Sequence, residues 1–216
     1  MAAEASVRIS LRWVADPPAE TQDVLALNVG DYFVDLRYSL KEKTIEWAMA
    51  GERLILSEEP YKCRWTRVID SLGEYGFDEG IFTKLPNGDD LETGEMASPD
   101  HGGAVTKYEE VWRTGPLASI KKGGCVLQSV ADGGKTFLGL VGGYYLALRE
   151  RDDQPFAAAR EDWNKTKEAW EKTYRSGAVD DIPSAAALEE TVFQAKVGQV
   201  ITLDGLEFTV RAIQSQ

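Results

Sequence analysis

Two cysteines and one histidine in 216 residues leave little for redox or metal chemistry. Cys63 and Cys125 are too few for a disulfide framework and lack metal-type spacing, so the sequence predicts two reduced, structural thiols in a cytoplasmic protein. His101 alone excludes multi-histidine metal sites, and any Ser-His-Asp arrangement would depend on it. In Pro99-Asp100-His101-Gly102-Gly103 it reads as a solvated loop-tip residue. No stretch approaches 18 apolar residues and Met1 to Trp13 has no apolar h-region, so neither a membrane span nor an export signal is predicted. Cations are also scarce: 24 Lys and Arg against 36 Asp and Glu give a formal charge of -12. Such a field repels phosphate backbones and argues against nucleic acid as a partner. Neither GxGxxG nor GxxxxGK(S/T) occurs, so a nucleotide site has no motif behind it, and neither cofactor nor metal is expected.

What the sequence does contain is alternation of period 2. Val7-Arg8-Ile9-Ser10-Leu11-Arg12-Trp13, Val24 to Leu27 and Tyr32-Phe33-Val34-Asp35-Leu36-Arg37-Tyr38 read as half-buried strands. Asp16-Pro17-Pro18 and Asn28-Val29-Gly30-Asp31 supply turns between them. Thr44 to Ala50, Tyr61 to Ser71, Gly76 to Thr83, Leu91 to Met96 and Ala104 to Arg113 continue the pattern, giving about eight strands, enough for a closed up-and-down barrel of the calycin type. A break at Gly115-Pro116 and Lys121-Lys122-Gly123-Gly124 marks passage into a second unit, so the chain divides into residues 1–115 and 116–216. In that unit, Cys125 to Val130 and the apolar run Thr136 to Arg149 read as strands, with Gly142 and Gly143 taken as a bulge or barrel bend. Ser184 caps a predicted short helix, and Asp204-Gly205 between two alternating runs is a type I′ hairpin.

Several segments in order resemble a known family. Ile45-Glu46-Trp47-Ala48-Met49-Ala50-Gly51, Arg64-Trp65 through Ile69-Asp70-Ser71, Asp78-Glu79-Gly80, Leu85-Pro86-Asn87-Gly88 with Leu91-Glu92-Thr93-Gly94, and Tyr108 to Arg113 are similar to the fungal Hri-type family, named for interaction with a casein kinase. The second half resembles it at Ile182-Pro183 and the closing Gly198 to Ile213 hairpin. The resemblance implies an all-β fold of two antiparallel calycin/lipocalin-like barrels. It also implies that Phe156 to Arg175 is a hairpin, against its helix propensity. Family members commonly carry Phe where Met49 stands and a second Trp near Val68, and the departure implies a specialised paralogue with a reshaped first barrel.

No catalytic set can be carried over from that family. Asp78-Glu79 and Glu109-Glu110 are adjacent carboxylates, but strand neighbours point to opposite faces, so one member of each can turn inward and solvated charges are expected. Trp47, Trp65, Tyr108, Trp112 and Tyr144 are large for barrel filler. With Asp70 and Arg113, and with Glu46 and Arg64 also near in sequence, they suit an apolar pocket oriented by a few polar groups. Two functions compete, beside a simple structural barrel that holds no ligand. One is binding of a small apolar molecule, in its sharper form a cofactor-free cyclase of hetero-Diels-Alder type in fungal secondary metabolism, where positioning and a hydrogen-bond donor do the chemistry. The other is a non-enzymatic adaptor, whose acidic loops meet a basic casein-type kinase or a second copy of the chain.

Overall fold

A computed structural model describes residues 3–121, 123–131 and 134–214; Lys122, in the predicted passage between units, lies outside them. Eight strands come first: β1 (Glu4–Trp13), β2 (Gln22–Val29), β3 (Tyr32–Ser39), β4 (Ile45–Glu58), β5 (Tyr61–Asp70), β6 (Phe77–Lys84), β7 (Asp90–Ala97) and β8 (Val105–Thr114). They close into an antiparallel barrel, β8 returning to β1 with Trp112 opposite Arg8 and Tyr108 opposite Trp13. β4 runs past the predicted Ala50 to Glu58, with bulges that bend its pairing to β5.

The rest of the chain forms β9 (Gly124–Ala131), β10 (Gly134–Val141), β11 (Tyr144–Arg151), β12 (Gln154–Asn164), β13 (Ala169–Ser176), α1 (Ala185–Val192), β14 (Val200–Leu203) and β15 (Leu206–Gln214). Their order is β13-β12-β11-β10-β9-β15-β14. This corrects the expected second barrel: among the described residues no ladder joins β13 to β14, and the sheet is open. After β13 the chain enters α1 instead of continuing the sheet. Ala185, Leu188 and Val192 of the helix cluster with Leu127, Leu138, Tyr145 and Phe208 on one sheet face. Ser184 caps the helix, its hydroxyl accepting from Ala187 N at 3.3 Å. Residues 156–175 do form a hairpin, β12 pairing with β13 from Ala158 to Asn164. Asp204 and Gly205 take φ of 49° and 83°, as a type I′ turn requires. Gly142-Gly143 is not a bulge: it is the turn between β10 and β11, closed by Val141 opposite Tyr144.

The main core lies between the two sheets, outside the barrel. Leu25, Leu27, Val34, Leu36, Ala48 and Ala50 point outward from β2 to β4 and cluster with Phe137, Val141, Tyr144, Leu146, Leu148 and Tyr174 of the second sheet. Both faces of that sheet are therefore covered, by the barrel on one side and α1 on the other. That explains why apolar residues stand on both faces of β10 and β11 within Thr136 to Arg149. No helix among the described residues is long and apolar enough to cross a membrane.

Candidate functional site

With the apolar side of β2, β3 and β4 turned outward, the alternate positions face the lumen. Ala26 and Asn28 of β2, Phe33, Asp35 and Arg37 of β3, and Trp47 and Met49 of β4 line a cavity of about 400 Å³. Trp65, Asp78, Phe82, Glu92, Tyr108, Glu110 and Trp112 complete the wall from β5 to β8. The barrel is thus hollow, with an aromatic and charged interior.

The charges are arranged in pairs. Arg37 donates to Asp35 at 2.9 Å and to Glu110 at 3.2 Å. Arg8, opposite Trp112 on β1, donates to Glu110 at 2.5 Å, to Glu20 at 2.8 Å and to Gln22 at 2.9 Å. Asp78 pairs with Arg67. The Arg37 guanidinium also lies over the Trp47 ring at 5.0 Å and over Trp112 at 5.9 Å. Glu92 differs: its carboxylate accepts from the Tyr108 hydroxyl at 2.9 Å and joins no ion pair among the described residues.

These surroundings set the protonation. Burial, and then the neighbouring Glu110 charge, push Glu92 up to about 8. Burial works the same way on Glu110, but Arg37 and Arg8 outweigh it and hold that carboxyl below its usual range. Burial likewise raises Asp35 and Asp78 against the pull of their arginine partners. The space for Glu92 and Tyr108 comes from two glycines. A Cβ on Gly80 would lie 2.5 Å from Glu92 Oε1, and one on Gly94 2.6 Å from Tyr108 Oη. Two polar atoms of lining residues are buried without a hydrogen bond: Asn28 Oδ1 and Trp112 Nε1.

Four of the seven residues expected at the site, Trp47, Trp65, Tyr108 and Trp112, line the cavity. Asp70 stands behind them at the end of β5, accepting from Trp47 Nε1 at 3.1 Å, from Leu72 N at 2.8 Å and from Arg67 at 3.1 Å. It holds the Trp47 ring from outside the lumen. Arg113 faces outward and grips Asp89 by two bonds of 2.8 Å. Tyr144 lies in the core between the sheets, its hydroxyl accepting from Leu117 N at 3.3 Å. Glu46 is exposed, and Arg64 pairs with Glu79 on the outer wall. His101 sits in the turn Pro99–His101 and is not part of the cavity lining.

Glu110, expected as a solvated charge, is 3% exposed. The sequence reading does not single out Asp35, Arg37 or Glu92 either, because alternation alone does not say which face of a strand is the inner one. The signal was present in β3, where Phe33, Asp35 and Arg37 share one face and Val34 and Leu36 the other.

The fold is similar to the crystal structure of an uncharacterized protein from Saccharomyces cerevisiae, with a TM-score of 0.81 and 14% identity over 100% of both chains. No curated protein matches the chain. The sequence pattern of the family described as Protein HRI1 matches residues 4–211.

Proposed function

The chain belongs to the HRI1 family, and on that premise we propose that its closed barrel is a receptor for one small organic molecule with an aromatic or conjugated body. The observation that carries this reading is the cavity of about 400 Å³ between Trp47, Trp65 and Trp112. Its size falls within the roughly 300 to 1,000 Å³ of small-molecule sites, and it combines flat apolar surfaces with a few convergent polar groups, as such sites do. The main apolar core lies outside this lumen, so most of the hydrophobic stabilisation comes from elsewhere. A buried Leu on the outer wall contributes about 1.5 to 3 kcal/mol, whereas buried ion pairs roughly break even against apolar replacements.

The test uses the six tryptophans. In ¹H–¹⁵N spectra of indole N–H groups, a panel of aromatic fragments is expected to include members that shift Trp47, Trp65 and Trp112. Trp163 and Trp170, which contact each other on the β12–β13 hairpin, stay in place. A panel in which no fragment moves the three lumen signals sinks the reading.

A catalytic form of the same reading is a cofactor-free cyclase. The unpaired Trp112 N–H supports it, as a donor able to polarise one of two reactants held in register. The adaptor reading would use a different surface. Leu54, Phe77 and Ile81 are 42%, 57% and 37% exposed on the outer wall of β4 and β6. Phe77→Ser would then abolish kinase binding and leave fragment binding intact, and retained kinase binding would count against that surface.

A further inference from the structure

We propose that the molecule held in the lumen is a cation, an ammonium or amidinium group on an aromatic body, and that its charge pairs with Glu92. This rests on the reading of the barrel as a receptor and specifies the charge of what it receives.

Three of the inward carboxyls are matched with guanidinium groups. Asp35 has Arg37 at 2.9 Å, Glu110 has Arg8 at 2.5 Å and Arg37 at 3.2 Å, and Asp78 has Arg67. Glu92 is as deeply placed, at 6% exposure, yet among the described residues only the Tyr108 hydroxyl bonds to it. Arg37 acts on it through space without pairing, while Glu110 repels its charge. A buried carboxylate without a cation is costly, so burial and the Glu110 charge keep this group protonated. An apolar side chain would fill the same place at no such cost. The wall nevertheless opens at Gly80 and Gly94 to admit the Glu92–Tyr108 pair.

Two further groups beside the cavity await a partner. Asn28 Oδ1 is a buried acceptor without a donor, which an N–H-bearing ligand supplies. Trp112, 7% exposed, has an indole N–H that makes no hydrogen bond of normal geometry but stands where it favours ionised Glu92. An incoming ammonium satisfies these conditions together: Glu92 gives its proton to the solvent, pairs with the ligand and becomes an acceptor for Trp112. An anion would meet Glu92 and Glu110 side by side, with the Arg37 guanidinium already bonded to Asp35 and Glu110, and a neutral apolar molecule would leave Asn28 unpaired.

Calorimetry with three probes of one shape tests this: 2-naphthylmethylamine, 2-naphthylmethanol and 2-naphthoate, each titrated at pH 7 in two buffers of different ionisation enthalpy. The amine is expected to bind about tenfold or more tighter than the alcohol, as a charge-assisted contact implies. The naphthoate is expected to be weakest, and amine binding should release close to one proton. Glu92→Gln should abolish the release and bring the amine-to-alcohol ratio to about one. The proton count on the unaltered protein stands as evidence even if that variant does not fold. Alcohol or naphthoate binding as tightly as the amine, with lumen tryptophans perturbed, overturns the charge inference and leaves the receptor reading standing. Failure of all three to bind overturns both.

Discussion

Glu92 and Glu110 are register partners on β7 and β8, and these adjacent inward carboxyls are driven in opposite directions, one up and one down. The difference is reach. Arg8 and Arg37 both bond to Glu110, and neither bonds to Glu92. Neighbouring positions on one sheet face therefore hold a proton donor and a permanent charge.

A pH dependence follows with a defined sign. Glu92 ionises near 4.5 without the fold and near about 8 within it, so between these values the folded chain holds a proton that the unfolded chain has lost. Stability from this group is complete below pH 4.5 and declines as pH rises through 8. Glu92→Gln removes that decline. Its melting temperature relative to the unaltered protein should become more favourable from pH 5 to pH 8, and parallel melting curves across that range would refute the assignment.

Among the lumen aromatics, Trp65→Ala gives the clearest test of ligand contact. Trp65 is half-buried, and its ring contact is with Phe82 at 5.8 Å. Removing it should weaken fragment binding by about 1 to 3 kcal/mol through lost apolar contact. Trp47→Ala should lower the melting temperature as well, because that indole bonds to Asp70 and lies beside the Arg37 and Arg67 guanidinium groups. Equal binding by Trp65→Ala and the unaltered protein would place the ligand elsewhere.

The glycine opening in the wall can be probed by filling it. Gly80→Ala puts a methyl group 2.5 Å from Glu92 Oε1, so the carboxyl must move and its bond to Tyr108 is lost. Overpacking of this kind costs about 1 to 3 kcal/mol. In a Glu92→Ala background the same change should cost little, and a double-mutant cycle by urea denaturation measures the coupling. Additive effects would show that Gly80 serves something other than Glu92.

Residues 1–115, expressed alone, should be insoluble or aggregated. Their outward Leu25, Leu27, Val34 and Leu36 are nearly fully covered only because the second sheet lies on them. A soluble monomeric fragment with a cooperative melt would instead show that residues 1–115 fold without the second sheet.

Cys63 and Cys125 are both unpaired and have no exposed surface. Thiol titration should count none in the native protein within minutes and two after denaturation without reductant. Burial also raises the Cys125 thiol, which slows it further. A count of zero after denaturation would reveal a disulfide.

Strands, turns, the α1 cap and the closing hairpin were legible because each depends on local chemistry: alternation, a serine before a helical run, Asp-Gly between two strands. The inner face was not. Alternation separates Phe33, Asp35 and Arg37 from Val34 and Leu36, but which set faces the lumen depends on a second sheet brought up from far along the chain. Openness of that sheet was equally hidden, since α1 was foreseen as an element but not as the cover of one sheet face. The aromatic part of the site was found by residue size alone. Its charged part required knowing that Arg8 from neighbouring β1 and Arg37 from β3 converge on Glu110.

The glue of this barrel lies on its outside, and that has a consequence for how it can change. Along β2, β3 and β4, odd and even positions serve different masters: Leu25, Leu27, Val34 and Leu36 weld the wall to the neighbouring sheet, while Asn28, Phe33, Asp35 and Arg37 only furnish the room within. A gene could therefore redecorate that room, swapping matched charges and ring sizes at every second codon, without loosening the seam that keeps the house upright.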